Sequence, residues 1–246
     1  MRPQIPISAL LLDIEGTTTP VDFVYKTLFP FARDHVGEYL EQHGASAEVQ
    51  ADLEALRSEY SADLAQGLNP PEWSDQSASF RLEPAIAYIQ WLIDRDRKST
   101  PLKSLQGRIW KAGYESGELR GEVYPDVPRA FERWQAQGIT IAIFSSGSAL
   151  AQKLLFAKTV RGDLTPFIKA YFDTTAGPKK EPESYRSIVK ALAVEPALVL
   201  FVSDVNAELE AARAAGLETL LCVRPGSAAP PESQHPVIRS FDEISP

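Results

Sequence analysis

Short apolar runs alternate with polar segments along the chain, and they predict the strands of a sheet. Four runs are short, rich in Leu, Ile, Val or Phe, and apolar on both faces, and a fifth is a weaker candidate. In order, they are Ser8–Ile14, Ile139–Ser145, Ile168–Asp173 (the weaker candidate), Ala197–Ser203 and Thr219–Val223. Strands that are apolar on both faces are typical of a parallel sheet covered by helices.

Helix-like patterns lie between these runs from about residue 122 onward. They cover Pro125–Gln137, Ala149–Lys158, Pro182–Ala193 and Asn206–Ala215. Gly138 and Gly216 directly follow the ends of two of these patterns, as helix-terminating glycines do. The alternation of strand and helix predicts an α/β fold, with right-handed βαβ units that form a Rossmann-like parallel sheet.

Residues 20–120 follow a different pattern. Helix-like segments cover Phe23–His43, Ala47–Gln66, Pro84–Arg95 and Lys103–Gly113, and none of the segments between them reads as a strand. The aromatic residues that should form much of the core of this part are Tyr60, Trp73, Phe80, Trp91 and Trp110. We therefore predict a core of residues 1–19 and 121–246, interrupted by an all-helical insertion of residues 20–120 that caps the strand ends. Residues 226–236, rich in Pro, Ser and Ala, are expected to form an exposed loop.

Charge and length limit the partners that the chain can have. The 246 residues include 25 Lys and Arg against 33 Asp and Glu, so the net charge is −8. This balance argues against a nucleic acid or an anionic membrane as the main partner, but it permits a small phosphorylated substrate. The first apolar run is too short for a membrane span and carries no cleavage signal, so we expect a cytoplasmic protein.

The few cysteine and histidine residues also narrow the chemistry. Cys222 is the sole cysteine, which excludes a disulfide or a thiolate metal site within the chain, and we interpret it as a small buried hydrophobe. His35, His43 and His235 show no metal-ligand spacing and are expected to be structural or surface groups.

Polar groups follow the predicted strands at their carboxyl ends, which is where open parallel sheets bind ligands. In chain order they are Asp13 and Glu15, Ser145 and Ser146, Lys179 and Lys180, and Asp204. This set suits phosphoryl transfer through a covalent aspartyl-phosphate, in which Mg²⁺ lies between phosphate and carboxylates while a lysine and hydroxyls hold phosphoryl oxygens. A second acid two residues after the nucleophile lies on the same side of an extended strand and can act as acid and base.

The order of these motifs resembles the haloacid-dehalogenase-like superfamily, although Glu15 stands where that superfamily usually has Asp. From about residue 8 to residue 226 the sequence is similar to its enolase-phosphatase (acireductone synthase) branch. The segments that carry the similarity are DIEGTTTP, LQGRIWKAGYESGEL, VYPDV, FSSGSALAQKLLF, YFDTTAGPKKEPESY, FVSDVNAELEAA and VRPG. The resemblance implies an enzyme of methionine salvage that enolises 2,3-diketo-5-methylthiopentyl-1-phosphate and hydrolyses its phosphate, giving 1,2-dihydroxy-3-keto-5-methylthiopentene. It also implies one Mg²⁺ per subunit and no other cofactor. The expected partner is the small phosphorylated diketone, and we expect the chain to be a monomer.

The resemblance assigns roles to individual residues. Asp13 would be the nucleophile and a metal ligand, and Asp204 would be the second metal carboxylate. Glu15 would give its backbone carbonyl to Mg²⁺ and its side chain to acid–base catalysis. Ser145 and Ser146 would hold phosphate and substrate.

The same resemblance selects one of two adjacent lysines. Lys179 rather than Lys180 would hold the phosphate, because the family's loop has Pro three residues after this lysine and an acid four residues after it. Pro182 and Glu183 stand at those positions. Glu208, one helical turn after the last metal carboxylate, is expected to support the site from outside the metal ligands, or else to be a surface acid.

Structural roles and other functions remain open at this stage. Read alone, Ser145 and Ser146 could cap the helix after Gly147, and Asp204 could cap the helix that begins near Asn206. A general small-metabolite phosphatase or a haloacid dehalogenase could have the same fold. A dehalogenase attacks carbon and needs neither Mg²⁺ nor a second acid in the first motif. Glu15 and Asp204 therefore argue against a dehalogenase.

A receiver-type signalling module is the alternative from another class. It also accepts phosphate on an Asp beside a hydroxyl and a lysine. Receivers are about half this length and phosphorylate an Asp on a middle strand, whereas here the candidate nucleophile ends the first strand.

Overall fold

The computed structural model describes residues 7–73, 82–227 and 233–245. Phe80 and residues 228–232 of the expected loop therefore lie outside the described residues. The chain divides into two compact units. One unit contains the chain up to Phe23 and from Arg120 onward, and the other contains Val24–Leu119.

The first unit contains a six-stranded sheet in which every pairing is parallel. The strands are β1 (Ala9–Leu12), β2 (Thr140–Phe144), β3 (Ile168–Phe172), β4 (Val199–Ser203), β5 (Glu218–Cys222) and β6 (Val237–Ile238). Their order in the sheet is β3-β2-β1-β4-β5-β6. The predicted α/β class is thus confirmed, and the five predicted strands are present. The two-residue strand β6 was not predicted.

Strand β1 lies at the centre of this sheet, and all its residues are buried. Leu12 pairs with Ile143 of β2 on one side and with Val202 of β4 on the other. The strand order reverses at β1, so the chain leaves it at the switch point where open α/β sheets bind ligands. The next residue, Asp13, still donates its N–H to the Val202 carbonyl at 3.0 Å, which fixes the start of the loop.

Helices connect the strands as predicted. After a single helical turn α1 (Val21–Phe23), those of the first unit are α6 (Asp126–Ala136), α7 (Ala149–Ala157), α8 (Pro182–Leu192) and α9 (Asn206–Ala214).

The ends of two helices decide between the capping and ligand-binding interpretations. Ser148, rather than Ser145 or Ser146, caps α7, because its Oγ accepts the Ala151 N–H. Helix α9 starts after Val205 without a side-chain cap, so the capping interpretation of Asp204 is also wrong. The polar groups at these strand ends are therefore left for other roles.

The second unit is entirely helical in its described residues. A π-helical turn, Val24–Leu28, leads into α2 (Phe29–His43), α3 (Ala47–Ala65), α4 (Glu83–Ile93) and α5 (Thr100–Ser116). Tyr88 is fully buried in its core and donates to Asp63 Oδ2 at 2.8 Å, while Arg97 donates to Asp63 Oδ1 at 2.5 Å. The partly buried tryptophans that pack against this core are Trp73, Trp91 and Trp110.

The cysteine and the histidines have the structural roles expected of them. Cys222 is buried, and burial raises the pKa of its thiol to about 12. His235 is buried between Thr219 and Glu210, and His35 contacts the Phe31 carbonyl. In the described ranges, no helix is long and apolar enough to cross a bilayer.

Candidate active site

Asp13 is the buried centre of the polar groups at the switch point, and its residue is only 2% exposed. Its Oδ1 accepts the Ile14 N–H at 2.8 Å and the Lys179 ammonium at 2.6 Å. Its Oδ2 lies 3.1 Å from Ser203 Oγ. Donors on both oxygens hold the carboxylate in one orientation, as a nucleophile that must attack along a defined line requires.

Glu208 completes a closed arrangement around this carboxylate. Its Oε2 lies 2.7 Å from the Lys179 ammonium and 3.1 Å from Ser203 Oγ. We call Asp13, Lys179, Glu208 and Ser203 the carboxylate ring. The Ser203 hydroxyl has one hydrogen, so it can donate to only one of its two carboxyl neighbours at a time.

The placement of Glu208 settles the choice that the sequence left open. It is buried and ion-paired, so the interpretation as a surface helix acid is wrong. The sequence signal was its spacing, since a residue four positions after Asp204 on a helix lies on the same face. Ser203 was missed altogether, because a serine that ends a buried strand has no distinguishing pattern.

The loop before α8 presents Lys179 to the ring. The Tyr185 hydroxyl donates to the Lys179 carbonyl and the Ser184 hydroxyl to the Pro178 carbonyl, each at 2.7 Å. Lys180 is exposed instead. Burial alone would lower the pKa of Lys179, but the carboxylates of the ring outweigh burial and raise that pKa. The ammonium therefore stays charged throughout the physiological range.

Glu15 lies in the tight turn that follows Asp13. Burial, and then the negative charge of Asp13, raise the pKa of the Glu15 carboxyl. Ser145 Oγ lies 3.4 Å from Glu15 Oε2 and accepts the Gly147 N–H at 3.1 Å. Ser145 is buried, whereas Ser146 is exposed. A raised pKa favours the protonated carboxyl, which is the form that a general acid needs.

Gly16 brings the same turn against Asp204. Its φ is +70°, and a Cβ at this position would lie 2.2 Å from Asp204 Oδ2. Asp204 is exposed as a residue, yet the protein around its carboxyl and the charge of Asp13 raise its pKa to about 7. The pKa of Glu208 is also raised to about 7, by burial and then by Asp13.

Four of these groups are acids. Asp13 and Glu208 pair with the Lys179 ammonium, and the charge of Asp13 contributes to the raised pKa values of Glu15, Asp204 and Glu208. Across residues 7–73, 82–227 and 233–245, no three His, Cys, Asp or Glu side chains are arranged as a metal cluster. The predicted set needs only two carboxylates and one backbone carbonyl, and such oxygen donors fit Mg²⁺, which retains several waters. The donor set therefore fits the ion.

A fixed carboxylate, a buried lysine and a second, protonatable acid are the groups that hydrolysis through an acyl-phosphate needs. Comparison with known proteins agrees. A family model described as haloacid dehalogenase-like hydrolase matches residues 7–216. The fold and the site thus define this class of hydrolase.

Curated relatives narrow the class. The chain is 56% identical to Enolase-phosphatase E1 of Synechococcus elongatus, with 98% of each chain covered. It is 47% identical to a probable bifunctional methylthioribulose-1-phosphate dehydratase/enolase-phosphatase E1 of Populus trichocarpa, over 96% of this chain and 46% of the plant protein. The crystal structure of the UTR4 protein of Saccharomyces cerevisiae superposes with a TM-score of 0.77 at 33% identity, covering 97% of this chain and 100% of the other. This chain belongs to the enolase-phosphatase E1 family of haloacid dehalogenase-like hydrolases.

Proposed function

We propose that this chain enolises 2,3-diketo-5-methylthiopentyl-1-phosphate and then hydrolyses its phosphate, giving the acireductone 1,2-dihydroxy-3-keto-5-methylthiopentene of methionine salvage. The observation that carries the proposal is the Asp13–Lys179 pair at the switch point, with the protonatable acid Glu15 two residues further on. The name that the relatives share supports the substrate.

In the phosphatase step, the Asp13 carboxylate attacks phosphorus, and the bond from phosphorus to the enol oxygen breaks. Glu15 gives its proton to that oxygen, so the leaving group departs neutral. Glu15, now a carboxylate, takes a proton from water, which attacks the aspartyl-phosphate and releases inorganic phosphate. Asp13 is regenerated as a carboxylate. Lys179 neutralises a phosphoryl oxygen throughout.

In the enolisation step, a base takes a proton from the carbon that carries the phosphate-bearing oxygen and stands beside a carbonyl. Negative charge develops on the carbonyl oxygen. The Lys179 ammonium can stabilise this charge, because its side chain is only 11% exposed and charges interact more strongly there than in bulk water. Ser145 and Ser146 hold the substrate's oxygens in this proposal.

One Mg²⁺ per subunit completes the proposed site, held by Asp13, the Glu15 backbone carbonyl and Asp204. When bound, it supplies the positive charge that lets a phosphate dianion approach a cluster of carboxylates. Gly16 supports this assignment, because a side chain there would occupy the space of the Asp204 carboxylate.

We also propose that the chain acts as a cytoplasmic monomer whose partner is the small phosphorylated diketone alone, with neither nucleic acid nor membrane. The net charge of −8 supports the absence of nucleic-acid and anionic-membrane partners, since it repels polyanions. Light scattering on the protein as it elutes from a size-exclusion column gives its molar mass, and the mass of a single chain is the result expected for a monomer.

The proposed function is tested by following the diketo phosphate with and without Mg²⁺, with enol absorbance and released phosphate recorded separately. We expect the enol to form and phosphate to be released, with both signals lost on chelation. A panel of common sugar and glycolytic phosphates is the control. If those esters are hydrolysed as well as the diketone and no enol forms, the chain is a general small-metabolite phosphatase instead. If phosphate stays on the protein without turnover, it acts as a phospho-accepting switch.

A further inference from the structure

A buried arginine next to the active-site turn is not used by the proposed mechanism. Arg224 follows β5, and its residue is 2% exposed. Its Nε and Nη2 donate to the Thr17 carbonyl at 2.8 and 2.6 Å, and its Nη1 donates to Asp126 Oδ2 at 2.6 Å. Its guanidinium carbon lies 4.2 Å from the Tyr124 ring centre and 4.5 Å from that of Phe241. The guanidinium is therefore enclosed by protein groups.

These contacts exclude the role that an arginine usually has in a phosphatase. A guanidinium that binds a substrate phosphate needs N–H groups directed at an open site. Here the charge of Arg224 is matched by Asp126, whose carboxylate also accepts from the Ser240 hydroxyl and the Phe241 N–H. These donors hold the pKa of Asp126 below its usual range despite burial. The Arg224–Asp126 ion pair therefore has a structural role and does not bind the substrate phosphate.

The group that Arg224 holds is part of the turn after Asp13. Inside this turn the N–H groups of Thr17, Thr18 and Thr19 donate to the Ile14 carbonyl. The Thr17 carbonyl points away from these bonds and receives the arginine, and the next carbonyl, of Thr18, accepts the Tyr124 N–H at 3.0 Å. The turn is thus held from outside at two successive carbonyls.

The position of this turn matters because it carries two active-site elements. Glu15 supplies the proposed acid and a metal-binding carbonyl, and Gly16 packs directly against Asp204. A small movement of Thr17 would be passed to both. Arginine suits the position, because its planar fork binds one carbonyl through two N–H groups while a third binds a carboxylate.

We propose that Arg224 is a positioning residue that fixes the Glu15–Gly16 turn, and that it thereby sets both Mg²⁺ affinity and turnover. The inference rests on the proposed function for its substrate and for the Mg²⁺ site. Groups that orient metal ligands from outside typically change metal affinity or activity by about 10- to 100-fold when they are lost.

The test is Arg224→Lys, which keeps the charge but loses the fork. Arg133→Lys is the control for the loss of an arginine fork, because Arg133 also donates to two carbonyls, those of Phe241 and Ile244, at 2.8 and 3.2 Å. We expect Arg224→Lys to weaken Mg²⁺ binding, measured by calorimetry, and to lower kcat, each by about 10-fold or more, with KM nearly unchanged. The Arg133 side chain is 35% exposed, so Arg133→Lys should lower the melting temperature less and leave both functional quantities at the wild-type level.

Wild-type Mg²⁺ affinity and kcat in a folded Arg224→Lys protein would overturn the inference, as would equal losses in the Arg133→Lys control. If Arg224→Lys does not fold, the double variant Arg224→Gln with Asp126→Asn replaces it. That variant removes both charges together and leaves no unpaired buried charge. Weaker Mg²⁺ binding and a lower kcat in this double variant would support the inference, and wild-type values of both would overturn it.

The role of Arg224 can still be tested if the proposed substrate is wrong. If the wild-type protein does not act on the diketo phosphate, the comparison is made on hydrolysis of a small aryl phosphate ester and on Mg²⁺ calorimetry. Both readouts depend on the position of the turn and not on the identity of the substrate.

Discussion

Gly16→Ala is the change that most directly tests how the turn after Asp13 is packed. An added Cβ would lie 2.2 Å from Asp204 Oδ2 and 2.7 Å from Asp204 Cγ. Carbon and oxygen atoms approach no closer than about 3.3 Å even in favourable contacts, so the turn and the carboxylate must separate by about 1 Å. A misplacement of about 1 Å at a catalytic site costs about 100-fold in rate, or about 2.7 kcal/mol in the barrier.

The substitution also strains the backbone, and this second effect has to be separated from the first. The φ of +70° costs a non-glycine residue about 1–2 kcal/mol. Gly138→Ala is the matched control, because its φ is +74° and its added Cβ would meet no heavy atom within 4 Å. Gly138→Ala should therefore lose the free energy of this backbone strain alone, whereas Gly16→Ala should lose that amount and the cost of the contact with Asp204.

The assay compares denaturant unfolding, Mg²⁺ calorimetry and kcat for the two alanine variants. We expect Gly16→Ala to lose about 100-fold in kcat and to bind Mg²⁺ more weakly, while Gly138→Ala keeps wild-type values of both. A Gly16→Ala protein that retains wild-type kcat and Mg²⁺ affinity would refute the view that close contact between this turn and Asp204 is needed for function.

Other groups of the site give further expectations. Asp13→Asn should reduce steady phosphate release to background, because an amide is a poor nucleophile; sustained turnover with deamidation excluded by mass spectrometry contradicts this. Glu15→Gln should accumulate the phosphorylated enol, seen as enol absorbance ahead of released phosphate, whereas wild-type phosphate release would remove Glu15 as the acid. Lys179→Ala should slow both signals, and loss of only one would limit the lysine to that step. In metal-free protein, the raised pKa values of Asp204 and Glu208 make the folded state bind more protons than the unfolded chain from about pH 4 to about pH 7. Its melting temperature should thus fall as pH rises from about 5 to about 8, and a Glu208→Gln protein with the same slope would contradict the assignment.

Most of the fold could be predicted because its signals are local. Five strands consist mostly of apolar residues, and each is followed by a polar segment, so hydrophobic runs located them. Strand β6, Val237–Ile238, is too short to produce a periodic pattern and forms only because β5 offers a free edge. Asp13, Ser145 and Asp204 could be placed at one edge of the sheet, because the carboxyl ends of parallel strands lie on the same side.

The contacts inside the site could not be predicted, because they depend on distances between segments far apart in the chain. The Ser203 hydroxyl lies between Asp13 and Glu208 through the register of β1 against β4 and the rotation of α9. The role of Arg224 depends on a carbonyl 207 residues earlier. No pattern within one segment reports such a contact.

The central position of β1 has a consequence for how the chain acquires its fold during synthesis. Leu10 leaves the ribosome before its partners Ile141 and Leu200, which are made only after the whole helical unit. The helical unit relies on contacts between neighbouring helices and can fold in the meantime, whereas β1 stays an unpaired apolar strand with both hydrogen-bonding edges open. The nascent chain is therefore most prone to aggregate through the very strand that delivers the nucleophile, until β4 emerges and closes the sheet around it.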